Sequence, residues 1–192
     1  MQRRALLNWL AATTATYALP TRAAAAPDHA ALVTRMRQGG HIILIRHAAT
    51  VPGVGDPDGF VLTQCASQRN LSDQGRADAM RIGEAFVRLG IPVADVLSSR
   101  WCRCLDTARL AFGRVTPAPM LDSMFRESAD GSARKQSEVA SWLSARHAAG
   151  NVVMVTHDVN IQALAGKVVR QGEMVLATSE QGILRVEGVF TL

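Results

Sequence analysis

Three short clusters in this 192-residue chain carry imidazoles and guanidiniums side by side: Arg46-His47, the stretch from Ser98 to Cys104 with Arg100 and Arg103, and His157-Asp158. A neutral imidazole is a competent nucleophile toward phosphorus, and a guanidinium can hold two phosphoryl oxygens at once. Each cluster by itself resembles an ordinary surface pair. All three, however, close a short apolar run: residues 41–45, residues 93–97, and residues 151–156 with Val-Val-Met-Val inside. Runs this short and this apolar suit strands buried on both faces of a parallel sheet, and open α/β sheets bind ligands at the carboxyl ends of their strands. Two imidazoles and two or more guanidiniums gathered at one sheet edge would repel one another unless a dianion sat among them. Phosphate is the obvious candidate.

The elements that must position these groups read as strand and helix in alternation. Asp28 can cap a helix whose apolar face is Ala31, Leu32 and Met36, and Gly39-Gly40 ends it before the first strand. From Ala48 to Asn70 periodicity disappears into a stretch with Pro52, Gly53, Gly55, Pro57 and Gly59, longer than connections usually are and placed to wall a pocket after His47. Ser72 then caps a helix with Ala79, Ile82, Ala85, Phe86 and Leu89 on one face, which Gly90 terminates. After the second strand a helix runs to about Phe112, Pro117 and Pro119 keep the chain extended, and residues 122–135 read as a second loop on the active side. A helix over Glu138–His147, the third strand, a helix over Val159–Val168 and a weaker strand pair near 174–178 and 183–186 complete the pattern. The order predicts an α/β three-layer sandwich, a mainly parallel central sheet with helices on both faces.

Residues 1–26 read differently. Arg3-Arg4 precede an apolar stretch from Ala5 to Leu19, and small residues follow at Ala23–Ala26, the layout of an export signal that also resembles the twin-arginine type. The apolar part is too short and too interrupted to span a bilayer, so residues 27–192 are expected to form one domain, periplasmic or secreted, without stable membrane insertion. Removing Arg3, Arg4 and Arg22 with no acid takes the formal charge from +5 to +2, and no basic run with interleaved aromatics remains to bind nucleic acid. Three cysteines, Cys65, Cys102 and Cys104, would meet an oxidising compartment where Cys65 can bridge one of the other two. A zinc site built on all three thiolates has no Cys-x2-Cys pair or matching His spacing behind it.

Arg46-His47, Leu71-Ser72-Asp73-Gln74-Gly75 with Ala77 and Ala79, Ser98-Ser99 followed by Arg103 and Thr107-Ala108, and Thr156-His157 together resemble the histidine phosphatase (phosphoglycerate mutase-like) superfamily over about residues 41–166. The resemblance implies that His47 is phosphorylated and that Arg46, Arg103 and His157 complete the phosphate pocket, with no metal and no cofactor. Arg100 stands where many members have proline and is expected, with Thr50, to contact substrate. Short members place a glutamate where this chain has Ser123, after Leu121-Asp122. Longer relatives use the Asp of His-Asp-Thr-Asn, which His157-Asp158-Val159-Asn160 resembles with one substitution. Asp158 is therefore the expected proton donor, ahead of Asp122 and Glu127, the alternative being that it only caps the next helix. His29, His41 and His147 belong to no motif. The family usually has a small buried residue at Cys104, which favours a Cys65–Cys102 bridge with Cys104 free. The activity implied is phosphomonoester hydrolysis on a small phosphorylated substrate, a sugar phosphate or an envelope-glycan phosphate such as the heptose phosphate of lipopolysaccharide core. A protein phosphohistidine phosphatase and a catalytically silent phosphoglycan-binding module are the alternatives.

Overall fold

The computed structural model describes residues 28–146 and 149–192. The expected signal over 1–26 and His147 lie outside them. A six-stranded sheet runs in the order β3-β2-β4-β1-β5-β6, with β1 Ile42–Arg46, β2 Val93–Ser98, β3 Thr116–Pro117, β4 Asn151–Thr156, β5 Met174–Glu180 and β6 Ile183–Phe190. The pairs from β3 to β1 are parallel, and β5 joins β1, then β6, antiparallel. The sheet is thus mostly parallel, as read from the sequence.

Alternation along the two central strands makes the sandwich. Ile43, Ile45, Val153 and Val155 face one side, where α1 (His29–Gln38), α2 (Asp73–Arg88) and α3 (Cys102–Phe112) pack through Leu32, Met36, Ile82, Phe86 and Ala108. Ile42, Leu44, Val152 and Met154 face the other, covered by α4 (Ala129–Ser144) and α5 (Asp158–Ala165) through Val139, Leu143 and Ile161. Strands buried on both faces read as continuous apolar runs, which is why β1 and β4 are so legible.

Caps explain most boundaries. Asp28 accepts from the Ala30 amide and Ser72 from the Gly75 amide, as expected of both residues. Ala31 proves exposed and Val33 takes its place in the core. Helix α4 starts at Ala129, not Glu138: Ser128 caps it through the Gly131 amide, and its early turns bury only Gly131, so no apolar period announces them. Helix α5 ends at Ala165, not Val168, because Gly166 takes the left-handed conformation (φ 63°) that closes a helix. Strands β5 and β6 run on to Glu180 and Phe190, beyond the short pair expected.

The long loop after His47 is pinned at both ends. Thr50 pairs with Leu71, the Val51 amide donates to the Asn70 carbonyl and the Ser72 amide to the Ala49 carbonyl. Any Cβ at Gly75 would overlap the Ala49 carbonyl, so the first turn of α2 lies directly against the chain leaving His47. A Cys65–Cys102 disulfide ties the loop to the start of α3, the pairing expected, and leaves Cys104 free and buried.

Candidate active site

Adjacent parallel pairing brings the three strand ends together. Arg46 stands in register with Thr156, and Ser98 with Val155. Beyond the ladders, the His47 amide donates to the Thr156 carbonyl at 3.0 Å and the Ser99 amide to the Val155 carbonyl at 2.9 Å. The result is a cavity of about 480 Å3 at the carboxyl edge of the sheet, lined by Arg46, His47, Arg103, His157 and Asp158 among others.

His47 is 2% exposed, and its Nδ1 lies 2.9 Å from the Ala48 carbonyl oxygen. A carbonyl can only accept, so Nδ1 carries the proton and the neutral ring keeps its lone pair on Nε2. Burial, reinforced by Arg103, Arg46 and Arg69 and only partly opposed by the Ala48 bond, holds its pKa down at about 3. At neutral pH the ring is therefore uncharged, the form a nucleophile requires. The His157 ring centre lies 5.5 Å away, and burial, then the neighbouring His47 and Arg103, hold its pKa well below the usual value. Ser99 Oγ sits 3.0 Å from His157 Nε2 and fixes the ring. Cys104 Sγ is 3.6 Å from the same nitrogen, yet burial pushes this thiol up to about 12, so it is an inert neighbour.

The arginines are not the bare cationic cluster that the strand ends suggested. Both terminal nitrogens of Arg103 donate to Asp56, at 2.7 and 3.2 Å, in an ion pair whose side chains are 5% and 7% exposed. Asp56 also accepts from Trp101 Nε1 at 2.9 Å and the Arg69 amide at 3.0 Å. Arg46 donates to the Val169 carbonyl at 2.8 Å and lies 3.3 Å from Asp158. Two carboxylates thus already offset the guanidiniums at this edge.

Two of the expected substrate contacts lie elsewhere. Arg100 does not line the cavity: its guanidinium grips the buried Asp122 at 2.8 and 2.5 Å, while its amide donates to the same carboxylate. Thr50 accepts from Gln171 Nε2 at 3.1 Å and serves the loop. Of the three candidate acids, Asp122 is enclosed in that Arg100 pair, outside the cavity lining. Glu127 lines the cavity, but the Lys135 ammonium at 2.6 Å holds its carboxyl below the usual range. Asp158 lines the cavity beside Arg46 and also accepts from the Val159 amide at 3.0 Å; it is the first residue of α5, whose N-cap is His157, so it faces the site without capping the helix.

Sequence reasoning missed Asp56, Arg69 and an aromatic wall of Phe60, Trp101 and Phe125. The loop was expected to wall the pocket, but nothing in its Gly/Pro-rich pattern distinguishes Asp56 from Asp58, which is exposed. Arg69 had one signal, its place just before the Leu71-Ser72 motif. Of the unassigned histidines, His41 starts its strand with Nδ1 on the Gly39 carbonyl and Nε2 toward Glu187, and His29 packs its ring against Phe190. Among the described residues no group of three or more His, Cys, Asp or Glu is placed to hold a metal ion, and no helix is long and apolar enough to cross a membrane.

Residues 42–133 match the family model described as histidine phosphatase superfamily (branch 1). No curated protein sequence matches the chain. Solved structures share its fold. Rv3214 from Mycobacterium tuberculosis is 16% identical, with TM-score 0.60 over 79% of this chain and 97% of that one. The mycobacterial glucosyl-3-phosphoglycerate phosphatase Rv2419c, solved with VO3, is 17% identical, with TM-score 0.58 over 77% and 97%. TTHB049 from Thermus thermophilus is 20% identical, with TM-score 0.54 over 79% and 99%. The matched residues 42–133 hold three of the four motifs that carry the resemblance, Thr156-His157 lying beyond them, and the solved structures share the fold.

Proposed function

We propose that this chain of the histidine phosphatase superfamily is a phosphomonoesterase that works through a phosphohistidine on His47, on a sugar phosphate or another small or envelope-glycan phosphomonoester. The observation that carries the reading is the buried, uncharged His47 ring, its Nδ1 committed to the Ala48 carbonyl, in a cavity it shares with Arg46, Arg103 and His157. In the first step Nε2 attacks phosphorus, the N–P bond forms and the bond to the leaving oxygen breaks, with Asp158 supplying the proton that oxygen needs. Nδ1 keeps its proton throughout, and the Ala48 carbonyl stabilises the positive charge the ring acquires. Arg46, Arg103 and His157 hold the equatorial oxygens as negative charge spreads onto them. Water then gives its proton to Asp158, attacks phosphorus and releases the neutral imidazole.

The cavity exceeds a phosphoryl group several-fold in volume, and Phe60, Trp101 and Phe125 offer an apolar wall to the rest of the substrate. Rv2419c is a glucosyl-3-phosphoglycerate phosphatase on this fold, which supports a sugar-bearing phosphomonoester. We place the protein in the periplasm or outside the cell on its Arg3-Arg4 leader, and the Cys65–Cys102 bridge supports an oxidising compartment. Purified protein should release inorganic phosphate from small phosphomonoesters at a rate that a chelator leaves unchanged. Absence of turnover across a panel of sugar, glycerol and aryl phosphates would refute the reading.

A further inference from the structure

A guanidinium carries five N–H donors in one plane and can grip an oxyanion in two ways: end-on, through both terminal nitrogens, or side-on, through Nε and one terminal nitrogen. In this cavity five of the six terminal nitrogens of Arg46, Arg69 and Arg103 are engaged by the protein. Those of Arg103 hold Asp56, those of Arg46 face the Val169 carbonyl and Asp158, and Nη1 of Arg69 donates to the Gly53 carbonyl at 2.6 Å. The Nε donors are not. Among the described residues, five buried side-chain nitrogen or oxygen atoms lack a hydrogen-bond partner, and three of them are Nε of Arg46, Arg69 and Arg103. A buried donor on a charged group is costly to leave unpaired, and folded proteins rarely do so. Three such donors of one chemical kind sit on side chains that line one cavity, and a compact anion held there is the partner that could satisfy them together.

Two of these arginines were expected there. Arg69 was not, and it belongs to neither strand-end motif. We propose that Arg69 is a third oxyanion ligand of the site, presenting its side-on edge to the same phosphoryl group as Arg46 and Arg103. The proposal rests on the phosphomonoesterase reading and adds a residue to it. Arg69 is knitted to Arg103 through Asp56, whose Oδ1 takes the Arg69 amide as well as one Arg103 nitrogen, and the Arg69 carbonyl accepts from Arg103 at 3.4 Å. Its side chain lines the cavity. Burial, then the Arg103 charge, lowers its pKa from the ordinary value, and Arg69 in turn depresses that of His47, so the charge acts at the nucleophile. A phosphoryl dianion would relieve both effects.

The competing explanation is that Arg69 only pins the loop to Gly53. The test has two arms, both with inorganic phosphate as the probe. Arg69→Lys keeps the charge and can still reach a carbonyl but has no side-on fork. It should weaken phosphate binding by calorimetry roughly tenfold or more, and raise KM for a phosphomonoester in parallel, with thermal midpoint and tryptophan fluorescence unchanged. Phosphate affinity within twofold of wild type overturns the proposal. The second arm reads the wild-type protein and uses the variant only to identify one signal. In 15N spectra of wild-type protein, with the Arg69 Nε–H signal identified by its loss in Arg69→Lys, added phosphate should shift that signal together with those of Arg46 and Arg103. An Arg69 signal that stays put while the other two move refutes the third ligand and leaves the phosphatase reading standing. Failure of wild-type protein either to bind phosphate or to turn over any phosphomonoester would sink both.

Discussion

Asp56→Asn removes one charge of the most enclosed ion pair at the site. The carboxylate takes four hydrogen bonds: two from Arg103, one from Trp101 and one from the Arg69 amide. Burial works to raise its pKa, but the bonds from Arg103, the Arg69 amide and Trp101, with the Arg103 charge, together outweigh that and hold it below the usual carboxylate range. At pH 7 the Asp56 carboxyl is therefore ionised. Removing one partner of a buried pair costs about 3 to 5 kcal/mol, because the other is left buried and uncompensated. Asn can still accept one bond, so the lower end, about 3 kcal/mol, applies. In a domain of this size each kcal/mol moves Tm by about 2–4 °C, giving a fall of roughly 6–12 °C. Calorimetry in chloride buffer measures it. A second scan with inorganic phosphate sharpens the argument, since an anion among Arg46, Arg69 and Arg103 supplies the charge that Asn lacks. Phosphate should therefore raise Tm more in Asp56→Asn than in wild type. A variant within about 2 °C of wild type in chloride would refute this account of the pair.

Three further outcomes are expected. His47 is neutral in folded and unfolded chains above about pH 6.5, but between there and its folded pKa of about 3 only the unfolded chain takes the proton. Stability should fall with falling pH by up to about 1.4 kcal/mol per unit, near 2 kcal/mol from pH 7 to 5, with His157 adding in the same direction. Urea midpoints in wild type and His47→Asn test it, the variant having the shallower slope; equal slopes would contradict it. Cys65→Ser opens a bridge of sequence separation 37 and should cost roughly 4 kcal/mol on the chain-entropy account, read from the same midpoints. Gly75→Ala must displace the Ala49 carbonyl next to His47, so it should lower both Tm and kcat; a fully active Gly75→Ala would show that the contact positions nothing.

The sequence exposed those parts of the molecule in which one physical constraint dominates. Strands β1 and β4 are buried on both faces and can only be apolar, and Asp28 and Ser72 cap helices through bonds within three residues. The convergence of Arg46, His47, Arg103 and His157 followed from strand order. What stayed hidden depends on contacts far apart in sequence. Asp56 reaches Arg103 across 47 positions, and Arg100 turns to Asp122 across 22, so neither pairing leaves a local pattern. The start of α4 was invisible because its early turns bury no apolar side chain, only Gly131, and polarity there reads as loop. The resemblance supplied what spacing could not: which of the two strand-end arginines turns toward the cavity, and which cysteine pairs with Cys65.

The central claim is a covalent bond between His47 Nε2 and phosphorus. Its most direct measurement is rapid mixing with a phosphomonoester, quenching in alkali where phosphohistidine survives, and mapping the modified peptide by mass spectrometry. The account predicts one phosphoryl group on His47, formed and lost at rates that match turnover and absent from His47→Asn. Turnover with no phosphopeptide at any quench time, or a phosphoryl group found on His157 instead, would contradict it.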